Sequence, residues 1–124
     1  MPIRISAVAA LLLISTACGS SYSPTPGPSP SPQPGTGTPV SIVRGADVLT
    51  TTAYSPNPIT IAAGGSVTWT NNDNIAHTSV GDGGGWNSGS INAGQTFTTT
   101  FPSAGTFRYH CSIHPNMIGT VTVQ

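Results

Sequence analysis

From Val40 onward, apolar and polar residues alternate in short runs broken by turn residues, the period-two signature of strands with one face turned to a core. Ile59 and Ile61 alternate after the turn Ser55-Pro56-Asn57-Pro58. Ala63-Gly64-Gly65 then turns the chain into Ser66 to Asn71, where Val67 and Trp69 share a face. Phe97 and Phe101 fall in phase across Thr99. The turn Pro102 to Gly105 leads into Phe107 to Cys111, where the period puts Phe107, Tyr109 and Cys111 on one inward face. Val121 and Val123 alternate in a last strand. Together these runs predict about seven short strands in an all-β, Greek-key sandwich of two sheets, with a glycine-rich excursion at Gly81 to Gly85.

Two other patterns precede this one. Met1 to Ala17 carries one early cation, Arg4, then the apolar run Ile5 to Ile14 and the small residues Ser15, Thr16 and Ala17. That order predicts a cleaved secretory signal peptide over 1–17. The run is too short to span a bilayer, which takes roughly 20 apolar residues. Cys18-Gly19-Ser20 follows and resembles a bacterial lipobox, in which the cysteine becomes the lipidated first residue, although Ser15 stands where leucine is usual. Cleavage after Ala17 without a lipid is the alternative. Proline then recurs at nearly every second position up to Pro39, so residues 18–39 read as an anchor and linker and 40–124 as the folded domain. Alternating proline favours extended polyproline II at about 3.1 Å per residue, a reach of as much as roughly 60 Å. An exported protein tethered to the periplasmic or extracellular face of the envelope is expected.

Composition narrows the function. About 84 residues make one core and no second domain. The formal charge is zero, lysine is absent, and Arg4, Arg44 and Arg108 are far apart, so no basic stripe tracks a phosphate backbone and nucleic acid is not expected as a partner.

Two cysteines in an exported chain would ordinarily suggest a disulfide. Cys18, however, lies at the cleavage point beyond the linker, whereas Cys111 opens the run Cys111-Ser112-Ile113-His114-Pro115-Asn116-Met117. A thiolate, an imidazole and a thioether recur there at every third residue. With a second imidazole they form the trigonal His2Cys set with a weak axial Met that suits copper. His77 is the candidate for that imidazole, because a strand and the polar turn Asn71 to Asn74 return the chain to the same end of the sandwich. His110 neighbours Cys111 in a strand and must point to the other face. Zinc is the competing ion, and it leaves Met117 without a role except packing, which is the alternative reading of that residue.

From Val40 to Gln124 the chain resembles the plastocyanin and amicyanin branch of the cupredoxins. An upstream His followed by Cys, His and Met on the last loop falls on His77, Cys111, His114 and Met117. Two residues fill each gap of that loop, as in amicyanins, and Pro115 follows the second histidine. Tyr54 to Ile61, Gly65 to Asn72 with Trp69, the Ala93-Gly94-Gln95 turn and Gly105 to His110 agree as well. One departure is Thr78, where many relatives have an Asn that braces the two ligand loops. A second cysteine, which a binuclear copper domain needs, is missing from the loop.

The resemblance implies one copper ion alternating between Cu(I) and Cu(II), held in a geometry tolerable to both. A monomer that exchanges electrons with a redox partner protein is expected, at an end left uncharged by Pro115, Asn116 and Ile118 around His114 and by Ala76 before His77. No substrate is transformed on this reading, since Asp47, Asp73 and Asp82 are not expected to pair near the ligand loop. The rival functions are an envelope protein that binds or delivers copper through the same four residues, and a copper-free adhesion sandwich.

Overall fold

A computed structural model describes residues 37–124, so the signal segment, Cys18 and nearly all of the linker lie outside the described residues. Eight strands form: β1 (Thr38–Ile42), β2 (Tyr54–Ser55), β3 (Ile59–Ile61), β4 (Ser66–Asn71), β5 (Val80–Gly81), β6 (Thr96–Thr100), β7 (Gly105–His110) and β8 (Ile118–Val123), with one 3-10 turn at Ala46–Val48. They make two four-stranded sheets, ordered β2-β1-β4-β6 and β3-β8-β7-β5. β1 runs parallel to β4 and β3 parallel to β8, while the other pairings are antiparallel. This is the two-sheet sandwich that the alternation predicts.

The inward faces are those read from the sequence. Val67 and Trp69 of β4, Tyr109 of β7, and Val121 and Val123 of β8 are buried, and Phe107 is half-buried. Trp69 is the centre of an aromatic core, with Tyr109 edge-on at 5.3 Å and Trp86 and Phe97 each at 6.0 Å between ring centroids. Two glycines make room for these rings. A Cβ on Gly81 would lie 2.8 Å from the Trp86 ring, and one on Gly119 would overlap the Tyr109 phenol. The glycine-rich excursion is thus the loop that brings Trp86 back onto the core.

The fold begins earlier than the change of pattern at Val40. Thr38 and Pro39 pair with Val67 and Thr68 in β1, although their composition reads as linker. Pro39 is tolerated because β2 pairs only with Ser41 and Ile42, which leaves β1 an edge at that point.

Candidate metal centre

β4 and β7 end at the same end of the sandwich, and the loops that follow them carry the four candidates. On the first loop Asn71 folds the turn inward: its Nδ2 donates to the carbonyls of Ile75 at 2.7 Å and Ile91 at 2.8 Å, and its Oδ1 accepts the Asp73 amide at 2.9 Å. His77 is then fixed through its backbone by two bonds with Ile91, at 3.1 and 2.8 Å. The second loop is tied closed, since the Met117 amide donates to the His114 carbonyl and the Cys111 amide to the Met117 carbonyl, both at 3.0 Å. Met117 is wholly buried at the base of that loop.

Among the described residues, His77, Cys111 and His114 form a cluster of potential metal-ligating side chains, the first two buried and His114 half-buried. His77 Nδ1 and His114 Nδ1 are 3.2 Å apart, and Cys111 Sγ is 3.9 Å from the first and 3.8 Å from the second. An ion at about 2.0 Å from nitrogen and about 2.3 Å from sulfur in a trigonal plane would set these edges near about 3.5 Å and about 3.7 Å. The observed triangle fits that size with little adjustment. Cys111 is a free, buried thiol.

Thr78 joins the two loops. Its Oγ1 accepts the Ser112 amide at 2.8 Å, and its own amide approaches Cys111 Sγ at 3.3 Å. A threonine therefore supplies the brace between the loops. Tyr54, wholly buried, donates its hydroxyl to the Thr78 carbonyl at 2.6 Å. Burial, with the neighbouring Cys111 and Tyr109, pushes the Tyr54 phenol far above its ordinary value of 10, and burial raises that of Tyr109 to about 12.

One expectation fails here. Asp73 does pair at the site: its Oδ2 is 2.9 Å from His77 Nε2. Burial alone would raise the Asp73 carboxyl, but the bonds from His77 and from the amides of Gly45, Asn74 and Ala46 outweigh it and hold the group well below the usual carboxylate range. The sequence signal was present, an acid four residues before a candidate ligand in a polar turn, but nothing local shows which way that turn folds. His110 lies outside the cluster, as alternation requires, and meets Asp82 on the surface.

Residues 42–124 match the family described as copper binding proteins, plastocyanin/azurin family. Plastocyanin from Scenedesmus fuscus is 37% identical over 84 residues, 57% of this chain and 86% of that protein. Among solved structures, a purple cupredoxin from Nitrosopumilus maritimus superposes with a TM-score of 0.65 at 35% identity, covering 70% of this chain and 99% of that one. A reduced Cu(I) form of an amicyanin mutant gives a TM-score of 0.59 at 27% identity over 71% of this chain and 82% of its own.

Proposed function

We propose that this chain, which belongs to the plastocyanin/azurin family of copper-binding proteins, is a one-electron carrier of the cell envelope whose ligands are His77, Cys111, His114 and Met117. The observation that carries the reading is the closed triangle of His77 Nδ1, His114 Nδ1 and Cys111 Sγ. Copper in that triangle supplies a one-electron change between Cu(I) and Cu(II). The residues supply the rest. The two loops are tied to each other through Thr78 and Ser112, and the first is tied to Ile91 through Asn71, which would hold the donors in place in either oxidation state. Met117, buried at the base of the second loop, would supply the remaining, weaker donor to copper.

The redox partner is proposed to meet the half-buried His114 at an apolar end, where Ile113 and Ile75 are 48% and 39% exposed. Ile118, placed at that end by its position after Met117, lines a groove with Asp82 and Arg108. The signal pattern and Cys18 support export with a lipid on that cysteine.

The test is to purify the protein from the envelope of an expressing cell, record its absorption and paramagnetic resonance spectra, and follow electron exchange by stopped flow across a salt series. An intense thiolate-to-copper band with fast, reversible exchange that changes little with salt is expected. A colourless copper complex, or copper passed to an acceptor protein without exchange, would sink the carrier reading in favour of copper delivery. Steep salt dependence would move the docking face to charged residues, and blue protein recovered only in soluble form at unmodified mass would remove the anchor.

A further inference from the structure

The described domain has three carboxylates, Asp47, Asp73 and Asp82, and one of them is buried behind a histidine of the centre. Among the described residues, the ring of His77 is the one ionisable group paired with Asp73. A buried carboxylate away from lysine and arginine persists only where hydrogen bonds replace its water. Asp73 has such bonds: Oδ2 accepts from His77 Nε2 at 2.9 Å and from the Ala46 amide at 3.2 Å, and Oδ1 accepts from the Asn74 amide at 2.8 Å.

An ionised carboxylate can only accept, so the bond to the ring places a proton on Nε2. In the neutral imidazole, the form that can ligate a metal, that leaves Nδ1 bare, and Nδ1 is the nitrogen 3.2 Å from His114 and 3.9 Å from Cys111 Sγ. The same carboxylate ties the ring to Ala46, where the 3-10 turn begins, so the imidazole is oriented by a second part of the chain.

We propose that Asp73 is a positioning residue of the copper centre, which selects the His77 tautomer that offers Nδ1 and, through its buried negative charge, favours Cu(II) over Cu(I). The proposal rests on the reading of His77 as a ligand. Removing an outer partner of this kind typically weakens metal binding by about 10- to 100-fold, and the loss should fall mainly on the more charged oxidation state.

The experiment compares reduction potentials of the wild type, Asp73→Asn and Asp47→Asn, alongside nitrogen NMR of the histidine rings. Asp73→Asn should lower the oxidised-to-reduced ratio at a fixed potential by about tenfold or more, a rise of about 59 mV per tenfold for one electron. Asp47→Asn removes the same formal charge from the 3-10 turn and should change the ratio far less. An unmoved potential in Asp73→Asn, or equal shifts in both variants, would overturn the proposal. The wild type alone gives a further arm that does not depend on either variant folding: in the copper-free protein the His77 proton should be on Nε2, and a proton on Nδ1 overturns the assignment. Loading with Cu(I) should shift the His77 Nδ1 resonance. No shift would remove His77 from the ligand set and the proposal with it, whereas a shift combined with an unmoved Asp73→Asn potential would defeat this proposal and leave the carrier reading intact.

Discussion

His77 and His110 each meet a carboxylate, at 2.9 Å from Asp73 and 2.6 Å from Asp82, in surroundings that differ in almost every other respect. The side chains of the first pair are 0% and 2% exposed, and those of the second are 35% and 50%. Ranked by distance, the surface pair would look the stronger. Water reverses that order, because an exposed pair is screened and contributes about 0–1 kcal/mol, whereas breaking a buried one strands a charge at a cost of several kcal/mol. The backbone around each pair is consistent with this. Asp73 sits in a turn that Asn71 ties to Ile75 and Ile91 through its side chain, while Asp82 belongs to the glycine-rich loop Gly81 to Gly85, which is held by the backbone bonds of Gly81, Asp82 and Gly84 and, among side chains, by the exposed bond to His110. The buried pair holds a ring in one orientation, and the exposed pair decorates the outside of β7.

The largest expected break in this comparison comes from deleting each ring. His77→Ala should weaken copper binding, measured by competitive titration against a chelator, by more than the about 10- to 100-fold that loss of an outer partner causes. His110→Ala should leave the affinity within about fivefold, equivalent to the roughly 1 kcal/mol ceiling of an exposed pair. A large loss in His110→Ala would dissolve the distinction between the two histidines.

That distinction was legible in the sequence on one side and not on the other. Period two in Phe107 to Cys111 settles that Tyr109 and Cys111 turn inward and His110 outward, and spacing alone brings Cys111, His114 and Met117 onto one loop. Asp73 was not legible. Its carboxylate reaches His77 in a turn that Asn71 ties to Ile91, 20 residues on, and no local pattern encodes that contact. Thr78 shows the same limit: its position before a strand can be read, but its bond to Ser112 spans 34 residues. The two-residue strands β2 and β5 are too short to show alternation, which is why eight strands form where about seven were expected.

Alkaline pH sharpens the contrast from the buried side. The phenols of Tyr54 and Tyr109 are raised above 10 in the fold, so the unfolded chain releases its protons first. Stability should therefore be complete below about pH 10 and be lost as pH rises beyond it, by about 1.4 kcal/mol per pH unit for each tyrosine, up to the values that the phenols have in the fold. No lysine is present to titrate in that window. Denaturant unfolding of the metal-free domain between pH 9 and 12 measures the slope, and Tyr54→Phe should roughly halve it. A flat profile above pH 10 would mean that the phenols are hydrated in the folded state.

The smallest effect belongs to the surface pair. Asp82→Asn removes the charge that faces His110 Nδ1 but leaves the backbone pairing alone, because the Asp82 amide donates to the Arg108 carbonyl at 2.9 Å and Gly81 still pairs with Tyr109. β5 should therefore stay in register, and Trp86 should stay packed over Gly81. The expected loss of stability is below about 1 kcal/mol. It should disappear near 1 M salt, where the screening length falls to about 3 Å, close to the separation of the pair itself. Unfolding curves at low and high salt provide the measurement, taken at neutral pH with the domain free of metal so that the centre does not contribute. A loss well above 1 kcal/mol, or one that survives high salt, would show that Asp82 acts as a buried charge does, and the contrast with Asp73 would fail at the pair where water was expected to decide it.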